Sequence, residues 1–191
     1  MGTIAFVDEI FLYENGELGV RFEIDGRFAP GPHLEAPGGL PGNVRSAYLA
    51  AHGAAGGQAV LSISSIDVGS AMSPQELAEQ LVIHNRYAAM TAERHGWTIH
   101  RPWEPTTVGG YIAMRNDYVA PGSSLADTGD PDIDEIVAQR DTAPGHVQGY
   151  VVYAGERTFQ IMLGVNPPGN LDSNRRVMDQ AMGSLQFIRP D

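Results

Sequence analysis

Leu18, Val20, Phe22 and Ile24 alternate with Gly19, Arg21 and Glu23. This two-residue period is that of a strand with one face buried. Phe11 and Tyr13 continue the alternation on the other side of Asn15-Gly16, a dipeptide that suits a two-residue type I′ turn. The pattern predicts a hairpin over Ile10–Ile24 in which Tyr13 faces Leu18 and Phe11 faces Val20 on one apolar face. A second hairpin is predicted over Val147–Ala154 and Arg157–Val165. Phe159, Ile161, Leu163 and Val165 alternate there, and Gly155-Glu156 suits a type II′ turn.

A different period governs the middle of the chain. Leu77, Leu81, His84, Ala88, Thr91 and His95 recur every three or four residues, which is one face of a helix. Ser73-Pro74-Gln75-Glu76 is a capping box with proline at the first helical position, and Gly96 is a helix stop. A helix over 74–95 follows. Strands are predicted at Ala59–Val68, Trp97–Arg101, Tyr111–Val119 and Leu185–Ile188. A second helix is expected over Asn174–Gly183 with Val177, Met178, Ala181, Met182 and Leu185 inward. The Gly/Pro-rich stretch 26–57 reads as a long loop with a short helix over Val44–Ala51. Residues 121–145 read as an acidic loop. Nothing divides the chain, so 1–191 is one domain of the α+β class: a central antiparallel sheet flanked by helices, an α/β/α sandwich.

Composition narrows the chemistry. The 191 residues are 42% hydrophobic, enough to build a core, and include 23 glycines and 13 prolines. Without cysteine there is no disulfide, thiolate metal site or cysteine nucleophile. All 12 basic residues are arginine, which removes a Schiff-base lysine and the lysine of a P-loop. An arginine-only, Ala- and Gly-rich composition fits a GC-rich bacterial genome such as an actinobacterial one. A net charge of −11 repels phosphate backbones and anionic membranes and favours a neutral or basic partner. The first 20 residues carry Asp8, Glu9, Glu14 and Glu17 and no basic residue, unlike a signal peptide, and no run of 18 apolar residues exists. A cytoplasmic protein is the simple expectation; a secreted or lipid-anchored protein whose leader has been removed is the other.

No G-x-S-x-G, H-E-x-x-H, G-x-G-x-x-G or P-loop is present. His84 and His95 share a helix face but stand about 16 Å apart along its axis, too far for one ion. Asp130, Asp132, Asp134 and Asp141 fall at positions 1, 3, 5 and 12 of a calcium loop, yet Glu135 replaces the turn glycine and Asp141 the bidentate glutamate. The expectation is a solvated acidic loop, no metal and no cofactor. The segment from His95 to Glu104 gathers both tryptophans beside a histidine and an arginine. Trp97, His100, Arg101 and Trp103 are the candidate ligand- or partner-binding residues, because Trp and Arg are typical anchors. The alternation of Trp97, Ile99, Arg101 and Trp103 also suits plain strand packing.

Ser73-Pro74-Gln75-Glu76-Leu77 at the helix start, the glycine turn Val108-Gly109-Gly110-Tyr111, the hairpin Tyr150–Ile161 and the closing Ser184-Leu185-Gln186-Phe187 resemble, in order and spacing, the PsbP-like fold. That fold is shared by the extrinsic PsbP proteins of photosystem II, the Ran-binding Mog proteins and the LpqN-type lipoproteins of mycobacteria. The resemblance spans roughly 10–188 and departs at 26–57 and 121–145. It implies a non-enzymatic binding or accessory domain that holds a protein partner or an apolar ligand, and it carries over no site residue. The alternative is an enzyme, hydrolase-like, with a dispersed acid–histidine site drawn from Asp117, His146 and Glu156.

Overall fold

The structure, a computed structural model, describes residues 9–30, 44–52, 57–121 and 144–188. Its elements in chain order are β1 (Ile10–Asn15), β2 (Val20–Asp25), β3 (Ala29–Pro30), β4 (Val44–His52), β5 (Gln58–Asp67), α1 (Pro74–His95), β6 (Thr98–Val108), β7 (Tyr111–Ala120), β8 (Gly145–Ala154), β9 (Arg157–Asn166), α2 (Leu171–Ser184) and β10 (Gln186–Phe187). Seven strands form an antiparallel sheet in the order β3-β4-β5-β9-β8-β7-β6, and β1-β2-β10 form a second, smaller one. The α+β class with a large antiparallel sheet flanked by helices is therefore what the chain adopts.

Strand alternation sorts the core into two layers, because successive side chains point to opposite faces. On one face Ala113, Tyr150, Val152, Phe159, Ile161, Leu163 and Val165 meet Leu18 of the β1–β2 turn, Val20, Phe22 and Ile24 of β2 and Val177, Met178, Ala181 and Met182 of α2. On the other, Met114, Val151 and Tyr153 meet Leu77 of α1, with Leu81, Trp103 and Ile112 packed around them. The large sheet thus lies between α1 and a layer made of α2 and the small sheet.

The predicted limits of α1 hold at both ends. The Ser73 hydroxyl accepts from the Glu76 amide at 3.2 Å, the Glu76 carboxylate accepts from the Ser73 amide at 2.8 Å, and Gly96 closes the helix at φ 68°. Both bonds from Ser73 lower the Glu76 pKa. Ser73→Ala removes the cap and should cost roughly 0.5–2 kcal/mol in a urea titration; equal midpoints for the two proteins would mean the cap contributes nothing. The predicted face is also inward, with Leu77 buried and Leu81, His84, Ala88, Thr91 and His95 half-buried. Val82, Ile83, Tyr87 and Met90 of the same helix are exposed. No helix of the described residues is long and apolar enough to cross a membrane.

Four local expectations are corrected. The first hairpin pairs Tyr13 with Phe22 and Phe11 with Ile24, not with Leu18 and Val20. Its turn holds four residues, since the Gly19 amide reaches the Asn15 carbonyl at 2.8 Å with φ 70° at Gly19, and the Asn15 side chain accepts from the Leu18 amide at 2.9 Å. The left-handed position is filled by Gly19, the residue that adopts it without a Cβ clash. The slip is even-numbered, so the same side chains stay inward. Residues 44–51 are strand, not helix: β4 pairs with β5 along its whole length and buries Leu49 and Ala51. Cross-strand packing there overrides the helix preference of an alanine-rich stretch. The second helix starts at Leu171, three residues early, because the Asn170 side chain caps it through the Ser173 amide at 3.0 Å. The last strand pairs with β2 of the small sheet rather than closing the large one. The acidic segment, with its calcium-like spacing, lies outside the described residues.

Candidate functional site

The strand that carries both tryptophans' neighbourhood is irregular. β6 is the edge of the large sheet, and its pairing with β7 shifts between Ile99 and Arg101 and again between Arg101 and Glu104. Pro102 and Pro105 lie within it. Proline lacks an N–H for the ladder, so it is tolerated at an edge or a bulge. At this irregularity the Trp103 backbone turns to α1. The Trp103 amide donates to Oδ1 of Asn85 and the Trp103 carbonyl accepts from Nδ2 of Asn85, both at 2.8 Å. One side chain of the helix therefore stands in for a strand neighbour and fixes Trp103 relative to α1.

Between α1 and the face of β6–β9 lies a cleft of about 220 Å³. Its helix side is His84, Tyr87, Ala88 and Thr91; its β6 side is Trp97, Ile99, Arg101, Pro102 and Trp103; Asn116, Tyr118, Gly149, Gln160 and Met162 form the sheet floor. Trp97 stacks on Tyr118 with ring centroids 4.5 Å apart and planes 2° from parallel, and Trp103 lies 5.3 Å from His84. Burial lowers the His84 pKa and pushes Tyr118 up to about 12, so both rings are neutral near pH 7.

The floor contains an exception to the rule that buried polar atoms are paired. Asn116 is only 9% exposed, and its Oδ1 has no hydrogen-bond partner. Gly149, opposite Asn116 on β8, leaves it room: a Cβ there would stand 2.5 Å from Asn116 Oδ1 and 3.3 Å from Cη2 of Trp103. A larger hollow of about 410 Å³ borders Tyr13, Tyr48, Ser46, Ser62 and Ser64, but none of its side chains is buried without a partner.

Of the residues expected from sequence, Trp97, Arg101 and Trp103 line the cleft, and Arg101 Nε stands 3.4 Å from Glu104 Oε1. His100 is exposed on β6 and does not line it. Sequence reading passed over Asn85, Asn116, Tyr118 and Gly149. The visible signal was Asn116 itself, a polar residue two positions from Met114 on the same face of a strand.

Asp117 and His146 do meet, on the opposite face of the sheet. His146 Nε2 is 2.7 Å from Asp117 Oδ1, and Asn174 Nδ2 donates to His146 Nδ1 at 2.9 Å and to the Pro168 carbonyl at 2.6 Å. Because Nδ1 accepts, the proton sits on Nε2 and is donated to Asp117. Arg175 Nε donates to Asp117 Oδ2 at 2.6 Å. Burial alone would raise the Asp117 pKa, but the hydrogen bonds from His146 and Arg175 outweigh it and hold the carboxyl at about 2. His146 is fully buried with both ring nitrogens engaged, so it offers no nitrogen to a substrate. Glu156 sits exposed in the β8–β9 turn, away from the pair. Among the described residues no group of three or more His, Asp or Glu side chains could hold a metal ion.

No protein-family model matches this chain, and no curated protein does. Solved structures similar to it include one from Bacteroides thetaiotaomicron VPI-5482, at 8% identity and a TM-score of 0.49, covering 92% of this chain and 47% of that one. The chain thus spans about half the length of that protein. LpqN of Mycobacterium tuberculosis, described as involved in cell envelope biogenesis, is similar at 13% identity and a TM-score of 0.41, over 84% of this chain and 90% of LpqN. At these identities and TM-scores the likeness extends to no site residue and no role.

Proposed function

We propose that this chain is a binding domain, not an enzyme, and that it holds a small, largely apolar ligand in the cleft between α1 and the large sheet. The observation that carries the reading is the cleft itself, lined by Trp97, Trp103, Tyr118 and His84. Concave, mostly apolar surfaces with a few convergent polar groups are the usual form of a ligand site. Trp97 and Trp103 would supply contact area and Arg101 a polar anchor at the rim, a role its fixed fork of donors suits. The PsbP-like resemblance of the sequence, which implies a binding domain, supports the same reading. A protein partner that inserts an aromatic side chain would use the same cleft.

The acid–histidine reading finds no support in the geometry of Asp117 and His146, which are closed off from solvent by their own partners.

The test is a titration of the ¹⁵N-labelled protein with indole. The indole N–H signals of Trp97 and Trp103 should move together, and Arg101→Ala combined with Trp103→Ala should weaken binding at least roughly tenfold, the scale of a lost hot spot. Shifts confined to α2 or to the small sheet, or undiminished binding by a folded double variant, would place the site elsewhere.

A further inference from the structure

We infer that α1 carries an interaction surface for a second copy of this chain, and that two copies pair α1 against α1, antiparallel, about a two-fold axis. The inference stands on the helix and does not depend on a ligand in the cleft. Its first ground is a second seam. The inward face of α1 is Leu77, Leu81, His84, Ala88, Thr91 and His95, at spacings that alternate between four and three residues. Glu76, Gln80, Ile83, Tyr87, Met90 and Arg94 repeat the same spacings one residue earlier, so they form a second row turned by about 100° around the helix. The first row seats α1 on its own sheet. The second is open at its centre, where Ile83, Tyr87 and Met90 are 47%, 68% and 57% exposed. Alternation of three and four residues is the seam by which the helices of separate chains interdigitate.

The second ground is charge. The row begins with an acid, Glu76, with Glu79 a turn further on, and ends with a base, Arg94. Such a row is complementary to itself when reversed. A two-fold axis at the level of residue 85 sets Arg94 of each copy against Glu76 of the other, Met90 against Gln80, and Tyr87 against Ile83, and every contact occurs twice. A parallel pair would set acid on acid and base on base, which opposes that orientation. A uniformly basic partner would meet Arg86 and Arg94, and a uniformly acidic one Glu76 and Glu79. The chain's −11 makes two copies repel at a distance, but the exposed side of α1 mixes Glu76, Glu79 and Glu93 with Arg86 and Arg94 and presents no block of like charge. One helix per copy makes a contact of the small, transient class, below roughly 1,200 Å² in total, so the dimer dissociates on dilution.

The experiment is sedimentation velocity of the full chain from about 10 µM to 1 mM, the range in which a weak contact of this class titrates. The average mass should rise from monomer toward dimer. Ile83→Glu puts an unpaired charge into the seam and should weaken association at least about tenfold, with an unchanged far-UV circular dichroism spectrum. Orientation is read with introduced cysteines, since the chain has none of its own. Under mild oxidation, Gln80→Cys mixed with Met90→Cys should give the mixed disulfide, and neither variant alone should cross-link. The two copies of position 80 in the antiparallel pair stand about 15 Å apart along the axis, beyond the reach of a disulfide. A wild type that stays monomeric throughout overturns the inference; if it then co-floats with phosphatidylcholine vesicles, lipid is what covers the row. Association of Ile83→Glu as tight as that of the wild type places the contact elsewhere. Cross-linking of each single variant with itself, without the mixed product, overturns the antiparallel pairing. Should Ile83→Glu fail to fold, the mixed disulfide decides alone.

Discussion

Replacing His146 with Leu should destabilise the protein by about 1–3 kcal/mol, the range found when a buried hydrogen-bonding group is left without its partner. His146 is fully buried, and Leu is close enough in volume to leave little cavity, so the loss is one of hydrogen bonding rather than packing. Asp117 Oδ1 would lose its donor at 2.7 Å, and Asn174 would lose the acceptor for one of its two N–H groups. Asp117 keeps Arg175 at 2.6 Å, which holds the cost to that range rather than above it. The pair links β7 and β8 to the first turn of α2, so the loss should be seen as earlier unfolding of the whole domain in urea. A change below about 1 kcal/mol would show that water replaces the imidazole at no cost and that the network does not clamp α2 to the sheet.

Lowering the pH should remove a related contribution through Asp117. Its pKa is lowered in the fold from 3.8 to about 2, so folding favours the ionised form. A group shifted in this direction stabilises fully above its unfolded pKa and loses that contribution as pH falls through the folded value. The contribution at neutral pH is about 2 kcal/mol, from the free energy that a pKa difference represents. Urea titrations of the wild type and Asp117→Asn between pH 7 and pH 2 should therefore show a gap that is constant down to about pH 5 and narrows steadily below it. A gap that stays the same at pH 2 would mean the carboxylate charge is not what His146 and Arg175 recognise.

The exposed side of α1 and the cleft beneath it share a cause. The helix lies over β6 and β7, one end of a seven-stranded sheet, so it cannot cover the full width. Val82, Ile83 and Met90 remain in solvent, while Tyr87 of α1 and Gln160 and Met162 of β9 border the cleft. A long helix packed on the edge of a wide sheet leaves a concave margin, and aromatic residues from β6 and β7 fill part of it.

Local signals in the sequence determined those features that depend on neighbours in the chain. The capping box at Ser73 and the stop at Gly96 set both ends of α1, because caps satisfy backbone groups within a single turn. The alternation at Phe159–Val165 set which side of β9 faces the core, because the strand period is fixed by the backbone. The concentration of Trp97, Arg101 and Trp103 marked the region of the cleft. Tertiary structure decided the rest. Residues 44–52 became a strand because β5 offered an open edge to pair with. The first hairpin slipped to a four-residue turn because the left-handed position fell on Gly19. Asn116 came to lie beneath Trp103, and Asp117 beside His146, through strand registers between segments far apart in the chain. Such registers depend on the sum of packing along both strands, and no single residue announces them.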